Sequence, residues 1–322
     1  MKFMRPTYGF LNTQLLELLR PILFLFAMFW IQGTLFAVTS LAESIRVTDD
    51  LDRKVTLKKP AERLIALYGA YNEILVDMGL ERSLIARTSA DKTPESILAK
   101  PSIGTHMRPN IELIMGLKPD LIIQNAGRKE AMVPVRQLMD QGLTVAVFNP
   151  NSFSELFSVI ERLAILTGSE ESGTRLIYKL KQKLESVRNK ISGAEKRPSV
   201  LFEVRYPDLL LAGQDSIVDE VIKLAGGRNS LVSKKKFLRL NIEEILRLNP
   251  DFYIVQRGPM NRDPGSIEQR PYFNQLDAIK NQRFFVVEEQ VFSRPGPRSV
   301  TAVEDLSRKL HPEQWEAVEK NL

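Results

Sequence analysis

The chain has 322 residues, of which 43% are apolar and 26% charged, a composition typical of a globular protein with room for two compact lobes. It contains no cysteine, which excludes disulfides, thiol catalysis and cysteine-ligated metals, and its two histidines are too few for a zinc site built from several imidazoles. The net charge of +6 is spread out, and its densest run is three lysines at 234–236, so the sequence does not favour nucleic-acid binding.

Residues 1–42 have the order of a secretory signal peptide. Basic residues precede an apolar run at 21–38, and Ser40 and Ala42 are small residues placed for cleavage before Glu43. The apolar run is close to the roughly 17–25 residues that cross a bilayer, so an uncleaved N-terminal anchor is the alternative. Either interpretation places the rest of the chain outside the cytoplasm. Because no cysteine is available for a lipid anchor, the sequence favours a periplasm.

After residue 43, short apolar runs alternate with stretches of helical periodicity. The runs at 63–67, 120–123 and 143–148 predict buried strands, and the stretches at 71–78, 111–117 and 130–140 predict helices. Near-continuously apolar strands that alternate with helices are typical of a parallel sheet covered on both faces. We therefore predict an N-terminal α/β lobe at residues 43–150.

The same alternation begins again in the second half of the chain. Strands are predicted at 198–204, 252–255 and 283–287, and a helix at 216–224, which together indicate a C-terminal lobe at residues 196–322. Residues 151–195 are predicted as linking helices, and apolar residues recur at helical spacing from 170 to 192 without a proline. At about 1.5 Å per residue this helix would be roughly 35 Å long, so we predict a stiff connection between the lobes.

The two lobes share a repeated segment. Residues 110–123 (NIELIMGLKPDLII) and 241–254 (NIEEILRLNPDFYI) have eight identical residues at a constant offset without a gap. Each copy predicts a short helix capped by asparagine, a Pro-Asp break and a buried strand. A weaker repeat pairs residues 73–79 with 220–226. The sequence therefore predicts an α/β protein of two related lobes with parallel-type sheets, joined by one long rigid helix, with a ligand cleft between the lobes.

Further motifs occur in a characteristic order along the chain: Pro60-Ala-Glu-Arg-Leu, Pro101-Ser-Ile-Gly, Ala225-Gly-Gly-Arg-Asn and Ser293-Arg-Pro-Gly-Pro-Arg. Together with the repeat, they resemble the helical-backbone (class III) periplasmic binding proteins, the iron-siderophore and cobalamin receptors of ABC importers. The resemblance extends from residue 45 to the C-terminus. It departs at residues 51–55, where the family often has Gly-Arg, and this leaves the turn of the opening hairpin open. The resemblance implies a monomer without a cofactor that passes its ligand to a permease dimer in the inner membrane.

The sequence offers no catalytic constellation. No serine lies in a Gly-x-Ser-x-Gly turn, and no nucleophile with a neighbouring base can be recognised among the scattered carboxylates. We therefore expect a binding protein and not an enzyme. An exported enzyme or an anchored sensor on the same scaffold remain the alternatives, because fold alone does not determine function.

Glu112 and Glu243 occupy equivalent positions in the repeat, one in each lobe. In the family that the chain resembles, the matching glutamates pair with arginines of the permease. The resemblance therefore implies that these two carboxylates dock the protein to its transporter. A local role is the alternative, because an acid in the first turn of a helix gains about 0.3–1 kcal/mol from the helix dipole.

The ligand is expected to lie outside the carboxyl ends of the strands, between the lobes. The residues predicted to reach it are Tyr68, Tyr71, His106, Arg108, Arg128, Arg205, Tyr206, Arg257, Arg294 and Arg298. Guanidinium groups suit carboxylate or catecholate oxygens, and tyrosines offer flat apolar surface to a large chelate. We therefore predict an anionic ferric siderophore or a similar bulky metal chelate. Cobalamin is the alternative, followed by haem and by oxyanions.

His106 bears on the choice among these ligands. Haem receptors of the resembling class have an iron-ligating tyrosine in the corresponding loop, and an imidazole can also ligate haem iron. His106 is therefore expected to be a metal ligand only if the ligand is haem, and no other residue is predicted to touch a metal directly. His311, near the C-terminus, is expected to be structural.

Overall fold

The computed structural model describes residues 44–127 and 129–319, with side chains as far as residue 316. The predicted signal at 1–42 and Arg128, one of the predicted ligand residues, therefore lie outside the described residues. From Ser44 onward the chain forms one compact unit. Within the described part, no helix is both long and apolar enough to cross a membrane.

The N-terminal lobe is a four-stranded parallel sheet with helices on its faces, preceded by a hairpin. Its strands are β1 (Ile45–Thr48), β2 (Lys54–Leu57), β3 (Leu64–Ala66), β4 (Leu84–Ala86), β5 (Gly104–Thr105), β6 (Arg108–Pro109), β7 (Leu121–Asn125) and β8 (Val145–Phe148). Its helices are α1 (Gly69–Asp77), α2 (Ile111–Leu117) and α3 (Met132–Asp140). The sheet has the order β4-β3-β7-β8, whereas β1 pairs with β2 and β5 with β6 in separate ribbons. The three predicted strands and three predicted helices of this lobe are confirmed.

Strand β3 shows why the strands are apolar throughout. Leu64 and Ala66 pack into a core on one face of the sheet, whereas Ile65 packs into a separate core on the other face. Successive side chains of a strand point to opposite faces, so both faces must be covered if every residue is apolar. The register of β3 with β7, and of β7 with β8, is parallel as predicted.

The opening hairpin forms its turn without the expected glycine. One carboxylate oxygen of Asp49 accepts hydrogen bonds from the backbone N–H groups of Leu51 and Arg53, at 3.0 Å each. The other oxygen lies 2.5 Å from the Arg53 guanidinium. Asp52 adopts the left-handed conformation (φ 57°), which aspartate tolerates better than most residues. The departure at residues 51–55 therefore leaves the hairpin intact.

Two helices, α4 (Phe153–Thr167) and α5 (Glu170–Lys190), connect the lobes. Helix α5 confirms the long helix predicted at 170–192 and spans about 32 Å at 1.5 Å per residue. Its buried stripe includes Leu176, Leu180 and Val187. These side chains belong to one hydrophobic core that also contains Leu64 of the N-terminal lobe and Phe202 of the C-terminal lobe. A core shared in this way resists hinging, because any separation of the lobes along α5 would expose apolar surface.

The C-terminal lobe has a mixed sheet. Its strands are β9 (Ser199–Arg205), β10 (Leu210–Ala212), β11 (Arg228–Asn229), β12 (Phe237–Arg239), β13 (Phe252–Arg257) and β14 (Phe284–Glu288). Its helices are α6 (Ile217–Leu224), α7 (Ile242–Leu248), α8 (Asp277–Lys280), α9 (Glu289–Phe292), α10 (Pro297–Leu310) and α11 (Pro312–Glu319). The order is β12-β10-β9-β13-β14, with β11 beside β9. Strands β9, β13 and β14 are parallel as predicted, whereas β10 is antiparallel to both of its neighbours.

Both copies of the repeat fold as predicted. Helices α2 and α7 are capped by Asn110 and Asn241, whose side chains accept hydrogen bonds from the backbone N–H three residues on, at 2.9 and 2.8 Å. Both helices end at a residue in the left-handed conformation, Lys118 (φ 49°) and Asn249 (φ 35°). A strand of the parallel sheet follows in each lobe, so the repeated sequence corresponds to a repeated structure.

The aspartate of the Pro-Asp break has the same role in both lobes. Asp120 Oδ2 accepts hydrogen bonds from the backbone N–H groups of Glu62 and Arg63, at 3.0 Å each. Asp251 Oδ2 accepts from the backbone N–H and the hydroxyl of Ser199, at 2.7 and 2.6 Å. Burial alone would raise the pKa of Asp251, but the hydrogen bonds from Ser199 outweigh it and hold that pKa below its ordinary value. Each carboxylate thus ties the starts of two neighbouring parallel strands together.

The C-terminal helix α11 is attached through Trp315. The indole is buried between two cations, with Lys190 Nζ 4.0 Å and the guanidinium carbon of Arg308 3.9 Å from its ring centroid. Cations at this distance are attracted to the negative face of an indole. Because Lys190 ends α5 and Arg308 belongs to α10, Trp315 joins α11 to these two helices.

Candidate ligand cleft and docking surface

The lobes meet near the carboxyl ends of strands β3 and β14, where the cleft was predicted. Gly69 begins α1 directly after β3, and Gly296 precedes α10 after β14 and α9. A Cβ atom at Gly296 would lie 3.0 Å from the Cβ of Ala70, and one at Gly69 would lie 2.8 Å from Oδ1 of Asp91. Gly296 therefore allows the start of α10 to approach α1 more closely than a side chain would permit, and Gly69 leaves room for the carboxylate of Asp91.

An ion pair joins the lobes at this point. Arg298 donates to Glu73 from Nε at 3.0 Å and from Nη2 at 2.5 Å, and it also donates to Gln290 at 3.2 Å. The hydroxyl of Thr93 donates to the same Glu73 carboxylate at 3.3 Å. Burial raises the pKa of Glu73, and the positive charge of Arg298 opposes that rise. Arg298 was predicted to meet an anionic ligand, but its partner in the structure is a carboxylate of the opposite lobe.

Arg294 lies beside a second group of carboxylates. Its Nη2 is 4.0 Å from Glu289 Oε1, and its guanidinium carbon is 5.7 Å from the centroid of the Tyr68 ring. Asp91 faces the same guanidinium, since a Cβ at Gly69 would touch both side chains. Burial raises the pKa of Asp91, against the effect of its hydrogen bonds and of Arg294. This arginine therefore pairs with Glu289 of its own lobe and acts on Asp91 of the other lobe through its charge.

Two aromatic residues of the predicted site, Tyr68 and His106, come together at the N-terminal side of the cleft. Their ring centroids are 6.3 Å apart in an edge-to-face arrangement, and both residues are half-buried. His106 lies in the turn between β5 and β6, where Gln124 Nε2 donates to its backbone carbonyl at 2.8 Å. The fold thus brings an imidazole and a phenol together on the N-terminal side of the cleft, although they are 38 residues apart in the sequence.

Tyr71 is placed in the core and not in the cleft. It is fully buried, its hydroxyl donates to the carbonyl of Phe148 at 3.0 Å, and the same hydroxyl accepts from Asn125 Nδ2 at 3.1 Å. Burial raises the pKa of Tyr71 well above its ordinary value. The prediction that Tyr71 contacts the ligand is therefore corrected, because α1 directs this side chain towards the interior of its own lobe.

Arg205 ends strand β9 and Tyr206 follows it, where both were expected, but both already have partners. Arg205 Nη2 lies 2.5 Å from Asp208, and the guanidinium carbon of Arg270 lies 3.9 Å from the centroid of the Tyr206 ring. Arg270 is itself buried and makes two hydrogen bonds to the buried carboxylate of Glu203, at 2.8 and 3.0 Å. Arg270 therefore packs against one face of the Tyr206 ring and holds the ring in position, a role that the sequence did not indicate.

Arg108 and Arg257 are exposed at the ends of β6 and β13. Over residues 44–127 and 129–319, neither guanidinium has an ion-pair partner. Of the six arginines assigned to the ligand, the structure thus leaves two as exposed cations, pairs three with protein carboxylates, and does not describe the sixth, Arg128.

The carboxylates of the cleft were also missed by the sequence analysis. Glu73, Asp91 and Glu289 are all buried. A signal existed for Glu73, because it interrupts the apolar residues of the helix predicted at 71–78. Its partner Arg298 is 225 residues away, so the pairing itself could not be predicted from a local pattern. Among the described residues, no three histidines or carboxylates gather as a metal site.

Glu112 and Glu243 are exposed in the first turns of α2 and α7. The backbone N–H groups at the start of each helix are served by Asn110 and Asn241, and in α7 also by Glu244, whose carboxylate accepts from the backbone of Asn241 at 2.9 Å. The helix caps therefore do not need Glu112 or Glu243, which leaves both carboxylates available to a partner.

Residues 64–291 match the family described as periplasmic binding protein. The chain belongs to this family. The two-lobed α/β fold and the relatives place it among the class III binding proteins of ABC importers. The family consists of transport-associated binding proteins, found in the periplasm or as lipoproteins.

The relatives differ in the ligands for which they are named. The ABC transporter substrate-binding lipoprotein YvrC of Bacillus subtilis is 27% identical over 84% of this chain and 87% of its own. The vitamin B12-binding protein of Vibrio cholerae is 27% identical over 78% of this chain and 90% of its own. The Fe(3+)-citrate-binding protein YfmC of Bacillus subtilis is 22% identical over 84% and 88%. A possible iron-binding solute-binding protein from Staphylococcus epidermidis has a TM-score of 0.69 and 26% identity, over 79% of this chain and 100% of its own.

Proposed function

We propose that this protein captures a ferric siderophore or a similar bulky metal chelate between its lobes and delivers it to the permease dimer of an ABC importer. The observation that carries delivery to a permease is the pair of exposed glutamates, Glu112 and Glu243, on equivalent capped helices of the two lobes. A dimeric permease presents two equivalent docking sites, and one carboxylate per lobe matches that symmetry. Charge pairs of this kind contribute mainly to orientation and to the rate of encounter.

The common core through α5 supports the same proposal. Because α5 buries one stripe of side chains against both lobes, the separation of the two docking glutamates stays nearly constant whether or not a ligand is bound. We therefore expect docking to require no large closure of the lobes. Release of the ligand would then depend on what the permease does to the cleft.

The test is to uncouple binding from uptake. Glu112→Ala and Glu243→Ala should each reduce uptake of the labelled ligand in cells, and the double variant should abolish it. The affinity of the purified protein for the ligand should be unchanged, because neither residue lies at the contacts between the lobes. Glu171→Ala is the matched control, since it removes an exposed acid from α5. Normal uptake by the double variant would refute docking through these residues and favour an anchored sensor.

We also propose that residues 1–42 export the protein to the periplasm. The basic residues, the apolar run and the small residues before Glu43 support this assignment. Mass spectrometry of the protein isolated from cells tests it. Glu43 as the first residue is expected after cleavage, whereas an intact Met1 would indicate an uncleaved anchor.

Haem is the second candidate ligand, and the neighbouring rings of Tyr68 and His106 favour it. Either side chain could serve as an axial ligand to haem iron. Absorption spectra of the purified protein titrated with haemin provide the test. A shifted Soret band that is lost in His106→Ala or Tyr68→Phe would move the assignment to haem. An unshifted band would exclude this ligand.

A further inference from the structure

Three of the arginines described in the cleft are paired with carboxylates of the protein itself. Arg298 pairs with Glu73, Arg205 with the exposed Asp208, and Arg294 with Glu289, while Asp91 acts on Arg294 through its charge. Three guanidinium groups thus face four carboxylates. The partial positive charges at the starts of α1 and α10 offset part of the excess negative charge. Counted over the described residues, this part of the contact zone between the lobes is therefore close to electrically neutral before any ligand enters.

The carboxylates of this zone are fixed in position. Glu289 Oε2 accepts a hydrogen bond from the backbone N–H of Met260 at 2.7 Å. Asp91 accepts from the backbone N–H and the hydroxyl of Thr88 at 2.7 and 2.9 Å, and from Asn72 at 3.0 Å. If an arginine turned away from its carboxylate to bind an anionic ligand, these hydrogen bonds would hold the carboxylate in place. The rearrangement would leave a buried charge without a partner, which is strongly unfavourable.

We infer that the cleft selects a metal complex whose buried portion carries no net charge, and that Glu73, Asp91 and Glu289 set this selectivity. The inference rests on the proposed function, since it concerns the ligand of the same cleft. A complex of this kind would be held by hydrogen bonds to its amide or hydroxamate oxygens and by apolar contact with Tyr68 and Tyr206. Uncharged ferric trihydroxamates and corrinoids share this chemistry. Ferric citrate and ferric tricatecholates are polyanions and do not share this chemistry. An uncharged complex therefore replaces the anionic siderophore expected from the number of arginines.

The exposed arginines do not change this conclusion. Arg108 and Arg257 are exposed at strand ends, where water and salt weaken their attraction for an anion. Such cations raise the rate at which a ligand arrives more than they hold it in place. Among the described residues, the two arginines that lie against buried carboxylates, Arg294 and Arg298, are only half-buried and already have partners.

The first experiment measures dissociation constants of the purified protein for four probes: an uncharged ferric trihydroxamate, cyanocobalamin, ferric citrate and a trianionic ferric tricatecholate. One of the two uncharged probes should bind at least tenfold more tightly than either polyanion, and which one it is distinguishes a siderophore from a corrinoid. Tighter binding of a polyanion would overturn the inference and leave the proposed function standing. Absence of binding to all four probes, by a folded protein, would refute both.

The second experiment changes the charge of the cleft. Glu73→Gln keeps the size of the side chain but leaves Arg298 uncompensated, so it should raise affinity for the tricatecholate about tenfold and leave affinity for the uncharged probe within about twofold. Glu171→Gln is the control, because it removes the same charge from an exposed pair with Arg175 on α5. Equal effects of the two substitutions would overturn the role of Glu73.

A third measurement needs no variant and so holds if Glu73→Gln fails to fold. Binding of the preferred probe to the wild-type protein is measured across a tenfold range of salt concentration. An uncharged complex held by hydrogen bonds and apolar contact should show less than about a twofold change in affinity. A fall of tenfold or more would reveal an anion held by arginines and would overturn the inference.

Discussion

The buried pair of Arg270 and Glu203 lies beneath Tyr206 and allows a quantitative test of the structure. The Glu203 carboxylate is inaccessible to water and receives three hydrogen bonds, two from Arg270 at 2.8 and 3.0 Å and one from the hydroxyl of Tyr253 at 2.7 Å. Arg270→Met keeps much of the apolar volume but removes two of the three donors. We expect this variant to lower the free energy of unfolding by about 3–5 kcal/mol, because it leaves a buried charge without compensation.

Tyr253 cannot replace the lost cation. Burial and the neighbouring carboxylate raise the pKa of Tyr253 well above its ordinary value, so its hydroxyl remains a neutral donor. The double variant Arg270→Met, Glu203→Leu removes both charges and should recover most of the loss, since a buried ion pair is often no more stable than apolar residues of similar size. Arg188→Met breaks an exposed pair with Glu185 and should cost less than about 1 kcal/mol.

Urea unfolding followed by circular dichroism measures all three variants. For a chain of this size, a loss of 1 kcal/mol corresponds to about 1.5–2 °C in Tm, so a thermal melt of Arg270→Met should have its midpoint roughly 5–10 °C below that of the wild type. The reasoning is refuted if Arg270→Met costs no more than Arg188→Met, or if the double variant is less stable than the single one.

Three further predictions concern single residues. Asp251→Asn should lower the free energy of unfolding by about 1–2 kcal/mol near neutral pH. The pKa of Asp251 is lowered in the folded state, so the difference in the free energy of unfolding between this variant and the wild type should disappear as pH falls through that pKa. A difference in urea unfolding that is as large near pH 2 as near neutral pH would contradict this. Tyr71→Phe should lower the free energy of unfolding by about 1–3 kcal/mol, because it leaves buried polar groups unpaired. Ligand affinity in a titration should be unchanged, and a large loss of affinity would show that Tyr71 contacts the ligand. Gly69→Ala should cost about 1–3 kcal/mol in the same unfolding assay, because its methyl group meets a fixed Asp91; wild-type stability would show that Asp91 can move aside.

The sequence predicted the architecture because the architecture depends on local patterns. The asparagine caps, the Pro-Asp breaks and the apolar strands of the repeat can each be recognised within fourteen residues, and α5 within one periodic stretch. The strands that were missed, such as β4 and β10, have only three residues each, too few for a periodicity to be visible.

The candidate site was predicted less well because it depends on contacts between distant residues. The sequence indicates where guanidinium groups are but not which carboxylates they meet, and Arg298 and Glu73 come together only when the lobes are assembled. Tyr71 was misplaced for a related reason. Tyr68 is the extended residue that precedes α1, whereas Tyr71 lies in the first turn of the helix, and only the direction in which α1 leaves the sheet decides which of the two faces the cleft.

The cation-flanked indole of Trp315 determines what an optical experiment on this protein can detect. The sequence contains two tryptophans, and the other, Trp30, lies in the predicted signal. Arg308 is eleven residues along α10 from its first residue near the cleft, a distance of about 16 Å at 1.5 Å per residue. Emission from Trp315 therefore reports whether the C-terminal helix is attached. A strongly coloured ligand in the cleft would quench it by energy transfer through space, whereas a colourless one would leave it unchanged, so a tryptophan substituted for Tyr206 is the better probe of occupancy.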